Sequence, residues 1–157
     1  MHSSGHPSTN MRYRHLLLMT VLSFLSMYVL MYAMVNDFAN VFMSLNQVYV
    51  AGLMTAPMVM IELSLMGAMY ENKRLNTLIT AASAIVLAAC FLLIRQQTAI
   101  MDKQFLRSMI PHHAGAILMC EKAAIQDPDI KELCRSIISG QQSEIDKMKA
   151  KLAELSK

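Results

Sequence analysis

The sequence predicts an all-α membrane protein: three transmembrane helices followed by an antiparallel helical hairpin outside the lipid. Three observations carry this expectation. First, 55% of the 157 residues are hydrophobic and mean hydropathy is +0.37, which is too apolar for a soluble domain of this length. Second, charge is confined: ahead of Met101 only Arg12, Arg14, Asp37, Glu62, Glu71, Lys73, Arg74 and Arg95 are charged. Third, three apolar runs each reach the roughly 20 residues that cross a hydrocarbon layer of about 30 Å at 1.5 Å per residue.

Residues 1–15 are expected to form the N-terminal tail. Met1–Asn10 is polar, contains Ser and Pro and has no periodicity, so this stretch is expected to be a disordered N-terminal tail. Leu16–Val35 carries no charge and is the first span. A cleavable signal peptide competes, because Arg12, Arg14 and His15 form a positive flank, but the run is long and no small-x-small site follows it. Asn36–Gln47 is a connector. Val48–Tyr70 is the second span, interrupted by Pro57 and Glu62, both tolerable inside a bundle. Glu71–Arg74 makes a tight turn, and Leu75–Ile94 is the third span, so residues 16–95 form a three-helix transmembrane region.

Residues 96–157 form the extramembrane part. No Gly or Pro intervenes from Gln96 to Arg107, so the third helix is expected to continue there; Ser108 and Pro111 then start a new helix, about Pro111–Ile125. Asp127 as cap with Pro128 in the first turn starts the last helix, about Pro128–Leu155. Its apolar residues Ile130, Leu133, Ile137, Ile138, Ile145, Met148, Leu152 and Leu155 make one stripe. A hairpin with one apolar stripe buries its seam poorly alone, so it is expected to complete a bundle by dimerisation.

Orientation follows from basic residues in short loops. Arg12 and Arg14 precede span one, none lies between spans one and two, and Lys73 and Arg74 lie between spans two and three. The N-terminus is therefore expected in the cytoplasm and the hairpin outside it, periplasmic or extracellular on a bacterial inner membrane. From Met101 onward nine basic and eight acidic residues nearly cancel, which lends no support to nucleic-acid binding.

The chemistry concentrates in the hairpin. Pairing about Asp127 puts Cys120 opposite Cys134, His113 opposite Gln141, and Met109 near Ile145 and Glu144. Met109, His112 or His113, Ala116, Met119 and Cys120 recur at helical spacing, so the soft and borderline donors are expected along one seam. Cys120 and Cys134 admit a disulfide, a thiolate pair or two small core residues. Facing helices usually lie 8 to 10 Å apart, beyond a disulfide's Cα separation, which favours reduced thiols.

The residues Asp102-Lys103-Gln104-Phe105, Ser108-Met109-Ile110-Pro111-His112-His113-Ala114-Gly115-Ala116, and the later Gln141, Glu144-Ile145 and Met148 resemble the domain-of-unknown-function 305 family over roughly Met101–Leu152. The resemblance implies a ferritin-like helical fold and, from some relatives, export and copper binding through His and Met. Residue by residue it carries to Met109, His112, His113 and Met148. Cys120 and Cys134 stand where small apolar residues are expected, and some relatives carry two copies of the domain. The Met31–Met34 and Ala51–Met58 stretches resemble the membrane-anchored branch.

Imidazole and thioether together suit Cu(I), with Cu(II) accessible through histidine. Adjacent histidines diverge by about 100° on a helix, so they share a metal only at a frayed first turn; the plainer alternative is one packed and one solvated histidine. The metal candidates are Met109, His112, His113, Met119, Cys120, Cys134 and Met148. Sixteen methionines also include a membrane set, Met27, Met31, Met34, Met54, Met58, Met66 and Met69, where gap-filling is favoured over a thioether ladder. Cys90 reads as a packing residue, while Glu62 is a candidate functional carboxyl or an interhelical hydrogen-bond partner. No G-x-S-x-G, H-E-x-x-H, P-loop or E-x-x-H pair occurs, so the expectation is no enzyme but a membrane-anchored metal-binding protein for copper sequestration or tolerance. A non-catalytic helical interaction or assembly module with no metal role is the alternative.

Overall fold

The structure, a computed structural model, describes residues 9–157. The expectation for residues 1–8 lies outside the described residues. Regular elements among the described residues are all helical: α1 (Thr9–Leu30) with 3-10 turns at Met31–Met34 and Phe38–Asn40, then α2 (Leu45–Leu65), α3 (Lys73–Gln96), α4 (Asp102–Lys122) and α5 (Pro128–Glu154). Three helical segments, Thr9–Met34, Leu45–Leu65 and Lys73–Gln96, are long and apolar enough to cross a membrane. Thr9–His15, expected in the tail, is helical instead. Its Thr, Arg and Tyr side chains bond to the α2–α3 turn, which secures the helix start.

The chain divides into two compact units, one holding the residues up to Val29 with Val48–Gln96, the other Leu30–Gln47 with Gln97–Lys157. The connector, expected with the membrane region, thus clusters with the hairpin. In the first unit Leu16, Val59, Leu63 and Tyr70 form a buried cluster, flanked by Tyr13, Met19 and Ile79. Gly52 allows α2 and α3 to meet closely, since a Cβ placed there would lie 2.8 Å from Cys90 Sγ. Polar groups tie the start of α1 to the α2–α3 turn: Arg12 Nη1 lies 3.2 Å from Glu71 Oε1, Thr9 Oγ1 donates to Glu71 Oε2 at 3.1 Å, and Tyr13 OH donates to Asn76 Oδ1 at 2.6 Å.

The second unit corrects two expected boundaries. The third helix stops at Gln96, because Gln97 and Ala99 take left-handed φ values of 50° and 60°. Such a conformation costs a non-glycine residue about 1 kcal/mol or more, offset here by a reciprocal amide pair between Gln97 and Asn46 at 3.0 and 3.2 Å. The next helix starts at Asp102, not Pro111, and runs through Pro111. Asp102 sits in the first turn, where an acid complements the helix dipole. Proline inside a helix removes one hydrogen bond and costs roughly 3 kcal/mol; Pro111 is buried, so packing works against that cost. The start of α5 agrees with expectation, with Asp127 Oδ1 accepting from the amides of Asp129 and Ile130 at 2.9 and 3.1 Å.

Ile110, Ala114, Ile117, Ile145 and Leu152 form the hairpin core, and Val35, Phe42, Leu106, Ile138 and Met148 pack against it. Val35 and Phe42 come from the Leu30–Gln47 segment of this unit, which straps the seam that a bare hairpin leaves open. The strap is pinned by Tyr32 OH donating to Phe42 O at 2.9 Å and by Leu45 N donating to Gln104 Oε1 at 3.0 Å. Gly115 makes room for it: a Cβ there would meet the Met34 carbonyl at 3.4 Å.

Candidate metal-binding edge of the hairpin

At the closed end of the hairpin Cys120 and Cys134 form a disulfide with Cα atoms 5.2 Å apart. The expected pairing of positions is therefore observed, but the preference for reduced thiols is corrected. Mid-helix spacing was the wrong yardstick, because Cys120 lies in the last turn of α4 and Cys134 near the start of α5, where the two helices converge on their connection. Both sulfurs are consumed by the bond, so neither Cys120 nor Cys134 is a thiolate donor in this state.

His113 is placed by the α4 stripe that also buries Ile110, Ala114 and Ile117. Its Nδ1 lies 3.0 Å from Glu144 Oε2, with side chains 12% and 55% exposed respectively. That nitrogen is buried and makes no hydrogen bond among the described residues, so Glu144 stands beside the ring without bonding to it. The expected partner is Gln141; the observed one, Glu144, lies about one turn further along α5.

This contact fixes the register of one hairpin edge. Met109 stands one turn before His113 on α4, and Met148 one turn beyond Glu144 on α5. In antiparallel helices those two steps run the same way, so both thioethers come to the level next to the imidazole. Met148 is partly buried against the core, and Met109 is half-buried.

The other expected ligands lie elsewhere. The α4–α5 seam is aliphatic rather than a line of soft donors. His112 is exposed and Met119 is 54% exposed, both on a face of α4 away from Ile110, Ala114 and Ile117. Because α4 starts at Asp102, the two histidines are mid-helix and their side chains diverge; the ring centroids are 6.0 Å apart at 60°. Among the described residues no group of three or more His, Cys, Asp or Glu is assembled to hold a metal ion.

One feature escaped the sequence reading. The strap over α4 has no periodicity of its own, and its only local signal was Asp37, which caps the Phe38–Asn40 turn by accepting from Ala39 N at 3.0 Å. Glu62, singled out as a costly carboxyl, accepts from Tyr70 OH at 3.3 Å. Burial, and then the Glu62 charge, push the Tyr70 phenol above its ordinary value.

These elements define an all-helical protein with three potential membrane spans and a strapped, disulfide-closed hairpin. The chain belongs to the family described as Domain of unknown function (DUF305), which it matches over residues 36–152. The match begins in the strap and includes α2 and α3, so it is wider than the resemblance over Met101–Leu152. The chain is 34% identical over 142 residues to Uncharacterized protein L153 of Acanthamoeba polyphaga mimivirus, covering 88% of this chain and 91% of that relative. No solved structure matches.

Proposed function

We propose that this chain is a membrane-anchored metal-binding protein that holds copper, preferentially Cu(I), on the hairpin edge formed by Met109, His113 and Met148, with sequestration or tolerance rather than catalysis as its role. The observation that carries the reading is the His113–Glu144 contact. Metal-ligating histidines commonly present one ring nitrogen to a carboxylate and the other to the metal, and Glu144 Oε2 stands 3.0 Å from Nδ1, which leaves Nε2 as the donor. Thioether sulfur disfavours Zn(II) and favours Cu(I). When bound, copper would supply only a soft acceptor there; the chain's residues orient the ring and shield one flank. His112 and Met119 are left as a separate, exposed pair.

The setting proposed is a cell membrane of the bacterial inner-membrane kind, with the N-terminus cytoplasmic and the hairpin periplasmic or extracellular. Arg12, Arg14, Lys73 and Arg74 at one end of the three helices support that orientation, and a disulfide is at home in an oxidising compartment. Ile130 and Leu133, 48% and 57% exposed, offer a face for a second copy.

The second reading, a non-catalytic interaction or assembly module, is favoured by one observation: the edge holds a single imidazole, already in contact with a carboxylate. A competition titration of the full-length protein in mild detergent against a chromophoric Cu(I) chelator separates them. The metal reading expects one equivalent of copper to be withdrawn from the chelator; no withdrawal would leave the interaction module standing.

A further inference from the structure

The first unit contains a cavity of about 760 Å³ between α1, α2 and α3. Its lining extends along α1 from Tyr13 to Leu25, about 18 Å at helical rise, against the roughly 15 Å depth of one leaflet. The walls give a polar guest little to hold. Two of the lining hydroxyls, Thr20 and Thr55, are spent on carbonyls of their own helices, Leu16 O and Ala51 O, each at 2.8 Å. Leu17, Val21, Leu25 and Val86 of its lining are exposed, so the cavity opens at its side and, in a membrane, is reached by hydrocarbon.

One end differs from the rest. Tyr13 lines the cavity there and its ring packs on Tyr70 with centroids 5.3 Å apart, an aromatic pair of the sort that sits at headgroup level. The same end carries Arg12, Arg14, Lys73 and Arg74 against Glu71. Arg12 is committed to Glu71 and Lys73 donates to Gly67 O at 3.3 Å. Arg14 and Arg74 are exposed and enter no hydrogen bond or ion pair among the described residues.

We propose that this cavity is a lipid site that takes one acyl chain of an anionic phospholipid, with the phosphate at the Arg14 and Arg74 end. Hydrocarbon fills the apolar length between the helices, and the surplus cations select the headgroup, as basic pockets between transmembrane helices do. The inference rests on the reading of α1, α2 and α3 as membrane-spanning.

The test is native mass spectrometry of the full-length protein, released from vesicles of equimolar phosphatidylglycerol and phosphatidylcholine. The expected result is one retained phospholipid per chain, anionic over zwitterionic by on the order of tenfold. Ala82→Phe, an exposed lining position filled by a ring, should cut retention about tenfold with helical content unchanged. Arg14→Gln with Arg74→Gln should keep the retained lipid but erase the preference. Equal retention of the two lipids by the parent, full retention by Ala82→Phe, or a lipid-free dimer would overturn the site. An alkaline wash of the same vesicles keeps the two readings apart: protein that stays in the pellet yet retains no lipid sinks the lipid site alone, and protein that leaves the pellet sinks both.

Discussion

Breaking the Cys120–Cys134 bond releases a loop closed over a sequence separation of 14. The bond spans the connection Ala123–Asp127 and the first turns of α5, so in the unfolded hairpin it holds together two ends that would otherwise diffuse apart. Loop-closure entropy for about 15 residues corresponds to roughly 3 kcal/mol, which at 1.36 kcal/mol per decade is on the order of a 100-fold change in the opening equilibrium. The core that must open is small: Ile110, Ile117 and Ile145 are its largest fully buried side chains. Hydrogen exchange of the full-length protein, with and without reductant, should therefore show amides around Ile110–Ile117 and Ile145 exchanging about 100-fold faster once both thiols are free. Cys120→Ala with Cys134→Ala should match the reduced protein, and amides of α2 and α3, in the other unit, should not change. Unchanged exchange after the thiols have been freed and counted would refute this reasoning, as would alkylation of both cysteines without reductant.

Other consequences follow from single contacts. Gly52→Ala places a Cβ 2.8 Å from Cys90 Sγ and should destabilise α2–α3 packing by about 1–3 kcal/mol, read as a lower melting temperature in detergent. Adding Cys90→Ala should recover most of the loss. Ile145→Ala empties a fully buried site and should cost the hairpin about 2–5 kcal/mol, read in denaturant with α5 helicity as the signal. Tyr70 holds its proton more tightly when folded, so that stabilisation is complete below roughly pH 10 and is lost as pH rises past the ordinary phenol value towards the raised one. Melting temperature should therefore fall on alkaline titration in the parent and stay flatter in Tyr70→Phe; equal slopes would contradict it.

The three apolar helices were legible because hydropathy over 20 residues is a sum that local errors barely change. The Asp127-Pro128 start of α5 was legible for a different reason: cap and proline act within one turn, so sequence neighbours alone determine it. The end of α3 was not legible, because Gln97 and Ala99 carry no turn signature and the Gln97 side chain is held by Asn46, about fifty positions away in the chain. Pro111 misled in the opposite sense. It reads as a helix start, yet Asp102 already opens the helix and burial holds the proline inside it. At the site, the facing of Cys120 and Cys134 could be counted from the turn, whereas their bonding depended on helix convergence that numbering does not contain. His113 and His112 are neighbours in sequence and differ in surroundings only through the direction each takes from α4: His113 meets Glu144 and His112 is exposed. The strap was silent because its apolar residues Val35 and Phe42 act singly, with no period to reveal them.

The copper site proposed on the Met109, His113 and Met148 edge is put to the test by parallel Cu(I) competition titrations of the parent, His113→Ala, His112→Ala and Glu144→Gln. His113→Ala should abolish tight binding, Glu144→Gln should weaken it on the order of tenfold by removing the carboxylate beside Nδ1, and His112→Ala should leave it within about twofold, since an exposed side chain off this edge contributes none of the donors there. Parent-like affinity in His113→Ala, or loss of copper in His112→Ala alone, would contradict it.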